Sequence, residues 1–202
     1  MRKFIHSGLI LAFIFLFCGC AQSYNAINPT KMAYFTSNNL EDITLHYRYD
    51  ILKEKGNKKI SKKERQRNVK LVAVKITNNT DTVINIGKNA AFFSDNSIIY
   101  PMDAISTKNS LKQSVPSNLF YLLLCPLMLF VNISKLFSIA LILGPAISGE
   151  NMLVAANANK DLYKDIVQYD ILFRDIQPGE TVFGLVGFRN LNYEHLTLKL
   201  IK

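Results

Sequence analysis

Between residues 113 and 149 the chain carries a single charged residue, Lys135. Two apolar runs flank it: residues 119–131, 13 in length, and residues 136–147, 12 in length. Water cannot be the final environment of such a segment, because its apolar side chains point in every direction around a helix. As one span it would place Lys135 near the centre of a bilayer, the costliest depth for a charge. As two helices each run would be about 18–20 Å long, short of a hydrocarbon core of about 30 Å. The pattern therefore predicts a helical hairpin that packs on the rest of the fold, dips into a membrane, or meets another copy. Leu123, Leu127, Phe130, Phe137 and Leu141 are the expected contact residues. Residues 150–167, with Met152, Ala155, Leu162 and Ile166 near helical spacing, predict an amphipathic helix leading out of the segment.

The flanks read differently. Residues 43–52 alternate, with Ile43, Leu45, Tyr47 and Tyr49 on one face. Residues 69–77 are rich in β-branched residues, with Val72, Val74 and Ile76 pointing inward. Turn clusters at 78–81 and 87–89 bound a strand at 82–86. Residues 91–93 and 97–101 form a hairpin. Strands follow at 171–176, 181–188 and 195–201, the second holding two glycines that mark bulges or close backbone approach. Short strands at this spacing predict a mainly β chain, an antiparallel sandwich with an α-helical insertion over about residues 106–167. The stretches VAVKITNNTDTVINIG and IQPGETVFGLVGF resemble the immunoglobulin-like sandwiches of bacterial envelope lipoproteins. That resemblance covers about 80 of the 202 residues and is architectural. It carries no catalytic residue.

The first residues are a targeting segment. Arg2 and Lys3 precede the apolar run GLILAFIFLF, which ends in Cys18-Gly19-Cys20-Ala21. This resembles the bacterial lipoprotein box, in which a small residue precedes a cysteine that becomes a diacylglycerol thioether. Gly19 fits the small position; Phe17 stands where the pattern usually has Leu. The resemblance implies a signal peptide at residues 1–19 and lipid, palmitate included, on Cys20. It also implies a tether over 20–39 and a single domain over 40–202. The protein is then held on the non-cytoplasmic side of a bacterial envelope membrane. Ala21, in place of the Asp of an inner-membrane retention signal, leans towards the outer membrane. Cys125, within an apolar run, reads as a small buried hydrophobe.

The net charge of +9 comes from 24 Lys and Arg against 15 Asp and Glu. Without Arg2 and Lys3 it is +7, and residues 53–70, with nine Lys or Arg and two Glu, account for all of it. This stretch reads as a solvated hairpin loop. Lys58, Lys59, Lys62, Lys63, Arg65 and Arg67 are the candidates for contact with anionic lipid or lipopolysaccharide, at about 1 kcal/mol each near a charged surface. Nucleic acid is not expected, since no aromatics interleave the basic residues.

Chemistry-bearing patterns are few. His46 and His195 read as surface histidines. No metal-ligand spacing, phosphate loop or nucleophile elbow occurs, so no catalytic residue, metal or cofactor is expected. Asp81-Thr82-Val83 resembles an O-glycosylation acceptor, and reads equally as a local turn. The expected role is non-catalytic binding or scaffolding, with an unidentified envelope protein or a second copy as partner. The alternative is an assembly or remodelling component that inserts residues 119–147 into the bilayer.

Overall fold

The structure, a computed structural model, describes residues 20–39, 42–95, 97–123, 134–191 and 193–201. These fall into two compact units: residues 20–23 with Gln113–Ala158, and Tyr24–Lys112 with Asn159–Lys202. The second unit holds all the strands.

Strand β3 (Val69–Asn78) is the centre of that unit. It pairs antiparallel with β2 (Ile43–Arg48) on one side and β9 (Thr181–Arg189) on the other. Strands β1 (Thr36–Asn39) and β7 (Pro101–Met102) complete a five-stranded sheet in the order β1-β2-β3-β9-β7. A three-stranded sheet holds β5 (Ala90–Ser94), β6 (Ser97–Ile99) and β10 (Leu196–Leu200), and a two-stranded sheet holds β4 (Ile84–Asn85) and β8 (Asp175–Ile176). All the pairings between strands are antiparallel.

Period-two alternation divides the five-stranded sheet into two faces. On one, Leu45, Tyr47, Val72, Val74, Ile76, Val182, Val186 and Phe188 share a core with Ile84, Phe92, Leu196 and Leu198 of the smaller sheets. Phe92 and Phe188 meet edge to face there, with ring centroids 5.1 Å apart. On the other face, Val69, Leu71, Ala73 and Leu185 are covered by Ile51 and Leu52 of α1 (Ile51–Glu54) and Ile60 of α2 (Lys58–Arg67). Leu111 of α3 (Ala104–Leu111) and Leu162 and Ile166 of α4 (Ser134–Gln168) complete that cover.

The strands expected over 43–52, 69–77, 91–93, 97–101, 181–188 and 195–201 are present over 43–48, 69–78, 90–94, 97–99, 181–189 and 196–200; the first ends early because Asp50 takes a left-handed φ of 56° before α1, and that over 82–86 shortens to Ile84–Asn85. The fold class is corrected in three respects. First, the protein is mixed α and β, with three antiparallel sheets and four α-helices among the described residues, not mainly β. Second, residues 53–70 are not a hairpin loop. Their one apolar side chain between Gly56 and Val69, Ile60, is too little to show a helical period, yet α2 forms because Ile60 and Glu64, one turn apart, both face the sheet. Third, the described residues show no hydrophobic hairpin. Residues 124–133, with Leu127, Phe130 and Cys125, lie outside the described residues. Leu123 ends a 3₁₀-helix (Pro116–Leu123), while Phe137 and Leu141 lie in the backbone of α4. That helix runs through Pro145 as one element instead of breaking before residue 150. The strand expected over 171–176 shortens to Asp175–Ile176, because Phe173 adopts a left-handed φ of 64°.

Both glycines of β9 are places of close approach. A Cβ on Gly184 would lie 2.7 Å from Ile171 Cδ1. One on Gly187 would overlap the Thr107 hydroxyl and lie 2.7 Å from its Cγ2. Thr107 is fully buried on α3, so it cannot swing away. Gly187→Ala should therefore cost about 1–3 kcal/mol by overpacking. Adding Thr107→Ala should return most of that loss, as read from denaturant midpoints. An additive double variant would show that the clash is not the cause.

Candidate functional site

The segment expected to be a tether is bonded to the fold at Ala21, Gln22, Tyr24, Asn25 and Ile27. Within the first unit, the Ala21 amide donates to Asn151 Oδ1 at 2.7 Å. Gln22 and Gln113 exchange two bonds: the Gln22 amide donates to Gln113 Oε1 at 3.0 Å, and Gln113 Nε2 donates to the Gln22 carbonyl at 2.6 Å. The receiving side chains are held in turn. Asn151 Nδ2 donates to the Ile147 carbonyl at 2.8 Å, one turn back on α4. Ser148 Oγ donates to the Asn118 carbonyl at 2.9 Å, joining α4 to the 3₁₀-helix. Gln113, Asn118, Ser148 and Asn151 are all buried. Buried carboxamides without partners would be costly, so their satisfaction by residues 21 and 22 makes the backbone beside Cys20 part of the packed structure.

Within the second unit the same segment continues to be held. Asp165 accepts from the Tyr24 hydroxyl at 2.9 Å and from the Ile27 amide at 2.7 Å. Burial and the facing Asp165 carboxylate push the Tyr24 phenol above its ordinary pKa. The Asn25 amide donates to Asn57 Oδ1 at 2.8 Å, and Asn57 Nδ2 returns a bond to the Asn25 carbonyl at 2.9 Å. Asn57 thus spends its side chain on residue 25 and not on capping α2. Ile27 is buried in the helix-side core.

The basic candidates are organised by α2. Lys58, Lys62 and Arg65, spaced i, i+4, i+7, lie along its outer stripe and are exposed, as is Arg67 in the last turn. Lys59 and Lys63 flank the stripe and are half-buried. The one acid of the helix, Glu64, points inward. It accepts from the Leu71 amide at 2.9 Å and is 2% exposed. Burial pushes its pKa up to about 7, against the opposing pull of the Leu71 amide and Lys70. Half-neutralised near pH 7, Glu64 subtracts little from the charge of the helix. Beside it, Lys31, Arg48, Glu54 and Lys55 line a shallow depression of about 210 Å³, where the Arg48 guanidinium pairs with Glu54 at 2.8 Å.

Sequence reasoning did not find a third cluster, at the β9–β10 turn. Lys70, 8% exposed, sets its ammonium 3.8 Å from the Tyr193 ring centroid and 3.9 Å from Asp50. The Tyr193 hydroxyl donates to Asp50 Oδ1 at 2.6 Å. Tyr49 stacks edge-on against both Tyr47 and Tyr193 and donates to the Glu194 carbonyl at 2.7 Å; burial raises its pKa. Ser94 Oγ donates to Glu194. Asp50, Asn68, Asn190 and Tyr193 all adopt left-handed φ values, between 50° and 59°. The only signal in sequence was the Asn and Asp residues next to strand ends, which tolerate that conformation. These groups bond one another and so lock the turn. His195 is exposed and packs edge-on against Tyr47, and His46 is half-buried. Asp81, Thr82 and Val83 are exposed, with the Thr82 carbonyl accepting from Asn78. Among the described residues, no three His, Cys, Asp or Glu side chains gather as a metal-sized group.

Comparison with protein-family models, with curated proteins and with solved structures finds no match to this chain.

The Glu64 carboxyl has a testable consequence. Its folded pKa exceeds its unfolded one, so the folded state binds more protons between about pH 4.5 and 7. Its stability contribution is complete below about pH 4.5 and is lost as pH rises through 7. A shift of this size corresponds to about 3 kcal/mol. Glu64→Gln keeps an acceptor for the Leu71 amide and removes the charge. It should flatten the decline and make the variant the more stable protein at pH 8, in urea titrations across that range. Parallel declines in both proteins would exclude Glu64 as the source.

Proposed function

We propose that the chain is a bacterial envelope lipoprotein, anchored on the non-cytoplasmic side of the outer membrane through lipid on Cys20. Its role is non-catalytic binding or scaffolding. One observation supports it above the rest: the chain is bonded to the fold at Ala21, the residue directly after the cysteine of the lipobox-like sequence. The packed antiparallel sheets, with the Gln177-Pro-Gly-Glu-Thr turn leading into β9, support the immunoglobulin-like reading of the sandwich portion. The cationic stripe of α2 supports an anionic partner, a lipid headgroup or lipopolysaccharide, because a helix holds its charges at fixed spacing towards one surface. An envelope protein or a second copy remains the proposed macromolecular partner.

Two measurements test this reading. Cys20→Ser should abolish incorporation of labelled palmitate; equal labelling of the variant would overturn the anchor. Replacing Lys58, Lys59, Lys62, Lys63, Arg65 and Arg67 with Gln keeps helix-forming residues at every site. It should leave the unfolding midpoint close to its original value and weaken sedimentation with anionic vesicles at low salt, where exposed charges are least screened. Equal vesicle binding by both proteins would reduce the stripe to a solvated surface.

A further inference from the structure

The bonds beside Cys20 limit how far the first unit can stand from a lipid attached there. From Cys20 Cα to the Ala21 nitrogen is about 2.4 Å by standard backbone dimensions. The Ala21 nitrogen lies 2.7 Å from Asn151 Oδ1. The Cys20 Cα is therefore within about 5 Å of the Asn151 side chain, and its sulfur within about 8 Å, from the same dimensions. No slack is available further along, since Gln22 is bonded twice to Gln113. A thioether sulfur sits at the level of lipid headgroups, so the Asn151 turn of α4 must sit there too.

The surface of that unit is apolar where the argument needs it. Leu119 and Leu122 are exposed by 46% and 38%, and three residues apart on a 3₁₀-helix they share one edge. Ile147, one turn before Asn151 on α4, is exposed by 38%. The Ser148–Asn118 bond ties the 3₁₀-helix to this part of α4. Glu150 is exposed on the same turn, which suits headgroup depth and excludes deep burial. No helix among the described residues is long and apolar enough to cross a membrane. Interfacial elements bury their apolar side about 5–10 Å into the headgroup and acyl boundary, without spanning it.

We propose that the surface bearing Leu119, Leu122 and Ile147 lies in the same leaflet as the Cys20 acyl chains, held there by the bonds of Gln113 and Asn151 to residues 21 and 22. The protein is then seated flush on its membrane and does not swing from a tether. This rests on the lipid anchor proposed above and adds the surface that meets the bilayer.

The chain contains no Trp, so a single introduced Trp reports its own surroundings. Leu119→Trp and Leu122→Trp are each made in the full chain, purified from membranes with Cys20 acylated, and reconstituted into phosphatidylethanolamine/phosphatidylglycerol vesicles with and without brominated acyl chains. The expected result is blue-shifted emission, at least twofold quenching by the brominated lipid, and severalfold protection from acrylamide relative to the unacylated Cys20→Ser protein in solution. A flexible Gly-Ser spacer between Cys20 and Ala21 should remove most of the bromolipid quenching while the protein stays vesicle-bound. Red emission with full acrylamide access in acylated, vesicle-bound protein would overturn the seating and leave the anchor standing. Unchanged bromolipid quenching in the spacer variant would overturn the bonds to residues 21 and 22 as its cause. Mass analysis of the Cys20 peptide on the same sample separates these from failure of the anchor itself, since absence of acyl chains would overturn both.

Discussion

Strand β3 has no water-facing side from Val69 to Val74. A strand in that position needs a cover on each face, and the two covers differ in kind. The smaller sheets supply one, through Phe92, Leu196 and Leu198. Helices supply the other, through Ile51, Leu52, Ile60, Leu111, Leu162 and Ile166. Two-sided burial is the condition for a third layer. It explains why the most basic stretch of the chain is wound into a helix: without Ile60 and Glu64 above Leu71, the face would open to water. It also explains the glycines of β9, where Ile171 and the α3 residue Thr107 come too close to the backbone for a Cβ.

The same requirement sets the electrostatics. Setting Glu64 of α2 against β3 and holding Lys70 within that strand buries an acid and a base. Lys70 is compensated by the Tyr193 ring and Asp50. Glu64 is compensated in part by the Leu71 amide, and it holds a proton at higher pH than a surface carboxyl. The consequence is a helix whose only acid is turned inward and whose cations face out. A structural need on one side of α2 thereby produces the charged surface on the other.

In the first unit the organising groups are carboxamides. Gln113, Asn118 and Asn151 use both ends of their side chains or backbones to join the 3₁₀-helix, α4 and the chain beside Cys20. Amide side chains suit this task because each donates and accepts, so reciprocal pairs leave no buried group unpaired. The same reciprocal use recurs at Asn25 and Asn57 in the second unit, where it removes the slack that a polar segment such as residues 20–39 would otherwise have.

Strand positions were legible in the sequence wherever a face alternates or a β-branched run is closed by Asn, Asp or Gly, as in residues 43–48, 69–78 and 181–189. Those signals are local, and period two survives whatever packs above it. The two glycines of β9 were legible as close approaches for the same reason: a missing side chain in a strand marks a near neighbour. What the sequence could not supply was long-range. A helix with one apolar residue has no detectable period, and only its burial on Leu71 identifies it. A polar segment looks like a tether until Asn151, Gln113, Asp165 and Asn57, from 32 to 141 residues away, take up its backbone and side-chain bonds. The sequence by itself thus determined the strands and the charge balance, because each is written in neighbouring residues. The tertiary structure decided which face of α2 is cationic, how tightly Cys20 is held and where Glu64 gains its proton, because each depends on groups that meet only after the chain has folded.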